Sequence, residues 1–317
     1  MMNYMLIDCD TGIDDSLALL FALKRKDVRV MGVTTGFGNS TATQSAHNSI
    51  RLIQLANPGY DVPVAIGAEH ALNGKRGDPV PHIHGKNGIG NVKLPPACQK
   101  PLEEHAADFI VRMARMYPQE LTLVTLGRMT NLALALQKEP ALPKLIKNVV
   151  AMAGALYVPG NANLTGEANI VGDAPAADIV LTAGFDLTMV TLDVSMRTRL
   201  TAQHLEYLDT VCREENRAIV DYLKEAFSFY FHYYRREINF IDSCPVHDPL
   251  AILVAVDPSV VLMRKMRARV ETMGSLTYGK IVTDLREGRL DTPFAAFCLE
   301  VDGERAIQSI LAAFTEP

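Results

Sequence analysis

Asp8, Asp10, Asp14 and Asp15 crowd four carboxylates into the eight residues DCDTGIDD. Like charges this close repel one another and persist only where something positive neutralises them. Every ligand on offer is an oxygen, which points to a hard divalent cation. Helix capping accounts for one or two such acids, because the exposed N–H groups and the dipole favour them, but not for four. An EF-hand does not fit. Its loop needs Gly at the sixth position and Glu at the twelfth, and counted from Asp8 those are Ile13 and Leu19.

Two later runs offer more chemistry. In CPVHDPLA (244–251), Asp248 adds an oxygen ligand or caps the apolar helix that follows. His247 beside it titrates, when unperturbed, near pH ~6.5. Cys244 and His247 lack a second Cys/His pair at a suitable spacing, which argues against zinc. The loop GNANLTGEAN (160–169) follows the strand-like VVAMAG and carries side chains suited to a polyhydroxylated ligand, although Asn and Gly are also ordinary turn residues. Asn39, beyond MGVTTGFG, repeats the pattern of a polar residue past the end of a strand.

The elements that must position these residues follow from hydrophobic periodicity. Strands are predicted at 4–9, 28–35, 62–66, 121–126, 148–153 and 187–192, with helices near 15–24, 41–56, 103–116, 130–137 and 174–183. This alternation implies an α/β fold, Rossmann-like, with a mostly parallel central sheet and helices on both faces. After residue 200 the pattern turns helical, so helical C-terminal additions are expected, among them the aromatic run FSFYFHYY (227–234). The stretches 67–101 and 154–172 read as long functional loops. In open α/β sheets ligands bind at the carboxyl ends of the strands, which is where the acidic cluster falls.

Bulk properties narrow the setting. The chain has 317 residues, 48% hydrophobic, and reads as one domain over 1–317. A net charge of −5 argues against nucleic acid or an anionic membrane as partner. There is no long apolar run and no signal-peptide pattern, and the five cysteines are scattered and odd in number. These features lead us to expect a soluble cytoplasmic protein.

The run DCDTGIDDSLALL resembles the DxDxGxDD signature of the inosine–uridine-preferring nucleoside hydrolases. The likeness extends in order through VTTGFGN (33–39), HGKNGIG (84–90), TLGRMTNLA (125–133), GNANLTGEANI (160–170) and CPVHDPLA (244–251). It implies hydrolysis of the N-glycosidic bond of a small-molecule ribonucleoside, with Ca²⁺ held by Asp10, Asp15, Asp248 and the main-chain carbonyl of Leu126. The family normally has Thr at that last position, and a carbonyl ligand tolerates the change. The same resemblance makes Asp14, Asn39, Met152, Asn161, Glu167 and Asn169 substrate contacts, with Asp8 supporting the site from behind. Asp10 becomes the base that activates water, and His247 the acid for the leaving nucleobase. A homodimer or homotetramer is also implied.

His84, on its Gly-flanked loop, is a further candidate for the substrate site. Tyr230 and Tyr234 offer a stacking surface for the base, and Arg235 or Arg236 a contact to a pyrimidine carbonyl. Two alternatives stand beside this reading. Asp8-Cys9-Asp10-Thr11 also resembles the DxDxT motif of haloacid-dehalogenase-type phosphatases, in which the first Asp is the nucleophile beside Mg²⁺. A non-catalytic nucleoside- or sugar-binding protein is the other.

Overall fold

The computed structural model describes residues 2–286 and 290–315. β1 (Asn3–Cys9) leads into α1 (Ile13–Lys24), and β2 (Val28–Thr35) into α2 (Ala42–Ala56). β3 (Val64–Ile66) is followed by the short α3 (Pro81–His84) and by α4 (Ala106–Met116). β4 (Leu121–Thr125), α5 (Thr130–Lys138) and α6 (Leu142–Leu145) precede β5 (Asn148–Met152). α7 (Ala168–Gly172) and α8 (Ala174–Thr182) then lead to β6 (Leu187–Val190).

These strands line up in the order 3-2-1-4-5-6, all parallel, as in doubly wound nucleotide-binding sheets. The order reverses between β1 and β4. Such a switch point leaves a crevice, because the connections from the two neighbouring strands run off to opposite faces. The loop after β1 carries the acidic run, and Leu126 follows β4. The two sequence features therefore meet where the sheet leaves a crevice.

α1 is not amphipathic. Every residue from Ile13 to Leu23 is buried, the pattern of a helix enclosed on all sides. It packs against α2, against α11 (Arg217–Ile238) and against α12 (His247–Val256). That enclosure fixes its N-terminus, with Asp14 and Asp15 in the first turn, at the floor of the crevice.

Beyond residue 190 come α9 (Leu192–Ser195) and the small antiparallel pair β7 (Arg199–Thr201) and β8 (Ser243–Pro245), with α10 (Ala202–Val211) and α11 between the two strands. The expected C-terminal helices are present as α10, α11, α12 and α13 (Gly303–Ala312). What the helical expectation omitted is β7 and β8 and, in the main sheet, β9 (Val261–Val270), β10 (Ile281–Thr283) and β11 (Phe294–Val301). β11 joins β6 in parallel, and β9 and β10 continue antiparallel to complete a nine-stranded sheet. The signal was a period of two in MRARV, where Met266, Ala268 and Val270 are buried while Arg267 and Arg269 point away. Four basic residues in β9 obscured it. Among the described residues no helix is long and apolar enough to cross a membrane.

Candidate active site

A cavity of about 830 Å³ opens at the switch point. Its wall includes Asp10, Asp14, Asn39, His84, Leu126, Met152, Asn161, Glu167, Asn169, Tyr230, Tyr234, His247 and Asp248, residues the sequence singled out from regions far apart in the chain. Asp15 lies just behind this wall, its Oδ2 accepting from the Gly12 N–H (2.8 Å) and from Asn39 Nδ2 (3.0 Å). A second cavity, about 680 Å³, opens between α10 and α11 and shares none of these residues. The carboxylates mark the first as the reactive one.

Asp14, Asp15 and Asp248 each offer an oxygen, and these oxygens lie within 4.8 Å of one another, all three residues being buried. The nearest trio thus includes Asp14 and not Asp10. The Asp10 carboxylate turns toward Asn39, accepting from its backbone N–H (2.8 Å) and its Nδ2 (3.3 Å). It is wedged there by glycine: a Cβ on Gly38 would stand 1.6 Å from Asp10 Oδ2. The Leu126 carbonyl accepts from Asn169 Nδ2 (2.7 Å), which also reaches the Met152 carbonyl (2.9 Å).

Asp8 sits behind the cavity, its Oδ1 accepting from Thr34 Oγ1 (2.6 Å) and Asn131 Nδ2 (2.8 Å). It is 2% exposed and does not reach the cavity wall, so it cannot attack a substrate. That removes the covalent phosphatase reading, whose nucleophile it would be.

Burial drives the electrostatics. Loss of water pushes the Asp8, Asp14 and Asp15 carboxyls up to about 7, with neighbouring aspartates adding to the rise. Asp10 and Asp248 are raised well above the usual carboxylate range for the same reasons. One oxygen, Asp14 Oδ1, is buried with no hydrogen-bond partner. A buried unpaired acceptor is costly, and a cation would satisfy it. The donor set is all oxygen and fits a hard divalent ion. At the other end, burial lowers His247 to about 4 and His84 to about 3, so both imidazoles are neutral at neutral pH.

The sugar-side loop is braced from two directions. Glu167 caps α7, its carboxylate accepting from the N–H groups of Asn169, Ile170 and Gly154. Asn161 Oδ1 accepts from Ala168 N (3.0 Å). Asn163 Nδ2 donates to the Tyr278 carbonyl (2.9 Å), tying the loop to the segment between β9 and β10.

On the opposite side α11 buries Phe227, Tyr230, Phe231 and Tyr234, one face at helical spacing. The Tyr230 ring lies 5.3 Å from His84, and the Tyr234 hydroxyl is 3.2 Å from His247 Nε2. Arg235 and Arg236 turn outward and pair with Asp242 and Glu237, so neither reaches the cavity.

Sequence reading missed three contributors. Ser195, at the end of α9, bonds His247 Nδ1 at 2.8 Å, and nothing in its local sequence marks it. Tyr233 lines the mouth. Arg128 also faces the cavity, and its signal was a lone basic residue between Leu126 and Asn131.

Two outcomes follow from the geometry. Between pH ~4 and ~7 the folded metal-free chain holds protons on these raised carboxyls that the unfolded chain has released, so its stability falls as pH rises through that window. Calorimetry in chelator is expected to record a falling Tm there, and saturating divalent cation to remove the fall. An equal fall with and without cation would sink the assignment of the cluster. Gly38→Ala is expected to displace Asp10 and lower kcat by roughly 10²-fold or more, the scale of a misplaced reacting group, while circular dichroism stays native. Unchanged kcat would show that the Asp10 position is not critical.

Comparison with known proteins agrees with this arrangement. The family model for inosine-uridine preferring nucleoside hydrolase matches residues 5–308. Uridine nucleosidase 1 of Arabidopsis thaliana is 36% identical over 271 residues, covering 85% of this chain and 79% of the relative. Among solved structures, a plant nucleoside hydrolase superposes with a TM-score of 0.94 at 31% identity, covering 100% of both chains. A purine-preferring ribonucleoside hydrolase from Gardnerella vaginalis does so at 0.91 and 32%, covering 99% and 98%. The chain belongs to the inosine-uridine preferring nucleoside hydrolase family, enzymes that split the N-glycosidic bond of ribonucleosides.

Proposed function

We propose that the chain carries out this hydrolysis with Ca²⁺ as its resident ion, held by Asp10, Asp15, Asp248 and the Leu126 carbonyl. The observation that carries the reading is the buried all-oxygen cluster, in which Asp15 and Asp248 stand beside Asp14, whose unpaired Oδ1 is open to the cation or to a ribose hydroxyl, with Asp10 on the same cavity wall. When bound, the cation would supply a Lewis acid able to grip vicinal ribose hydroxyls and lower the pKa of a water. Asp14, Asn39, Asn161, Glu167, Asn169 and Met152 then hold the sugar.

Cleavage joins the water oxygen to C1′ while the electrons of the C1′–N bond leave with the base. Positive charge builds on the sugar in an oxocarbenium-like state, and preorganised carboxylates around it lower the barrier. Asp10, fixed by Asn39 and Gly38, accepts the proton of the water. His247 is neutral, so its contribution at neutral pH is a hydrogen bond relayed through the Tyr234 hydroxyl to the departing base. His84 and Tyr230 form the surface next to that base.

The base preference lies with those aromatic and imidazole groups, and relatives of similar identity bear names for both uridine and purine specificity. Cys9, Cys244 and Cys298 are buried and free, in keeping with a reducing cytoplasm. The exposed apolar side chains Met273, Leu276 and Phe294 around the antiparallel edge support a homodimer or homotetramer.

Ribose release from inosine, uridine, cytidine and adenosine, measured with and without a strong chelator, tests the reading. Release is expected to fall on stripping and return with Ca²⁺, and Asp10→Ala to lose ~10³-fold or more in turnover. No release by folded, Ca²⁺-loaded protein would overturn it. The ribose hydroxyls are asked both to meet the cation and to hydrogen-bond, so 2′-deoxynucleosides are expected to lose ~10²-fold or more in kcat/KM. Equal rates for uridine and 2′-deoxyuridine would remove the 2′-hydroxyl from the site.

A further inference from the structure

Arg128 is the one strongly basic side chain that the described residues bring to the cavity wall, and its guanidinium is poorly accounted for. Nε and Nη1 are both buried and without a hydrogen-bond partner. A guanidinium out of water with unused donors is costly unless its charge is needed there.

Its position is closely constrained. The guanidinium stacks 4.4 Å from the centre of the Phe37 ring. On another side the main chain comes so near that a Cβ on Gly172 would stand 1.8 Å from Nε, and one on Gly77 would stand 3.1 Å from Nη1. Only residues without a side chain leave this space.

The same two stretches of chain also grip Asp10. Gly38, next to Phe37, and Gly127, next to Arg128, both press on the Asp10 carboxylate, with a Cβ on Gly127 falling 3.0 Å from its Oδ1. The Phe37–Gly38 and Gly127–Arg128 pairs therefore form one clamp, glycine against the carboxylate and ring against guanidinium.

Three acids exert their field on Arg128: Asp10, then Glu167, then Asp173. Glu167 already accepts from three backbone N–H donors, and Asp173 accepts from Leu72 N (2.9 Å), Thr130 Oγ1 (2.7 Å) and Ala176 N (3.2 Å). Among the described residues the Asp10 carboxylate has only Asn39 as a hydrogen-bond donor beyond its own turn. It is the acid with charge left to balance.

We propose that Arg128 is a positioning residue that acts through Asp10. It is a fixed internal cation that shares the charge of that carboxylate, holds it for the water, and competes with the divalent ion for the acidic cluster. The inference rests on the metal-site reading of the cluster and adds a residue to it.

The two roles give effects of opposite sign. Removing a like charge near a cation strengthens binding of that cation, whereas a loosened Asp10 slows the reaction. Calorimetric titration of stripped protein with Ca²⁺ alone is expected to give roughly tenfold tighter binding for Arg128→Met than for wild type, a step within reach of removing one nearby charge. Steady-state kinetics on the best nucleoside is expected to give a kcat lower by roughly 10-fold or more with KM little changed, the signature of a transition-state loss. Arg128→Lys keeps the charge and is expected to retain the wild-type Ca²⁺ affinity. Weaker or unchanged Ca²⁺ binding by Arg128→Met, or an unaltered kcat, overturns the proposal. Should Arg128→Met fail to fold, Arg128→Gln carries the same test with a polar end. The calorimetric arm needs no turnover. A wild type that binds Ca²⁺ but releases no ribose therefore overturns the functional reading while leaving the effect of Arg128 on affinity measurable.

Discussion

Mutual repulsion among buried aspartates is the constraint that organises this molecule. Oxygens of Asp14, Asp15 and Asp248 lie within 4.8 Å of one another. At that separation two full charges repel by about 3–4 kcal/mol even at an effective dielectric constant of about 20. No folded chain assembles such a group for its own stability. The cost is met in part by geometry: Asp14 and Asp15 lie in the first turn of α1, and Asp248 in the first turn of α12. Two helix N-termini, each with a partial positive charge and free N–H groups, thus converge on the cluster.

The sheet exists in the form needed to sustain that convergence. β1 delivers Asp8 and Asp10, and β4 delivers Leu126 one strand away across the switch point. The parallel order places all these carboxyl ends on one side. α1, buried along its length, cannot tilt to relieve the crowding, and Asn39 with Gly38 fixes Asp10 from the β2 side. In the metal-free chain the raised carboxyls answer the repulsion by holding protons, and a cation answers it without them, because the fold presents oxygens to it.

Much of this was legible in the residues. The acidic run could be read because four carboxylates in eight positions have few explanations, and β2 was bounded correctly at 28–35 because β-branched residues and flanking turns mark it. The parallel core followed from alternating periods. The antiparallel edge did not, since the alternation in β9 is confined to Met266–Val270 and none of the five residues before it is buried. Ser195 and Arg128 were also hidden, because their importance comes from what stands opposite them in space. His247 identifies Ser195, and Phe37 with Gly172 identifies the pocket that seats Arg128. A motif shows which residue types are present, but a partner 52 residues away, as between Ser195 and His247, is seen only in the folded chain.

The helix α11 divides its labour along its length in a way that separates two kinds of change. Phe227, Tyr230, Phe231 and Tyr234 are committed to the interior, but Tyr233, Glu237 and Ile238 line the cavity while remaining partly open to water. None of these last three belongs to the carboxylate cluster, whose members sit on α1 and α12. The outer rim can therefore be rewritten, by drift or by an engineer, without disturbing the machinery that breaks the bond. The entrance to such a cavity is an adjustable surface laid over an immovable floor.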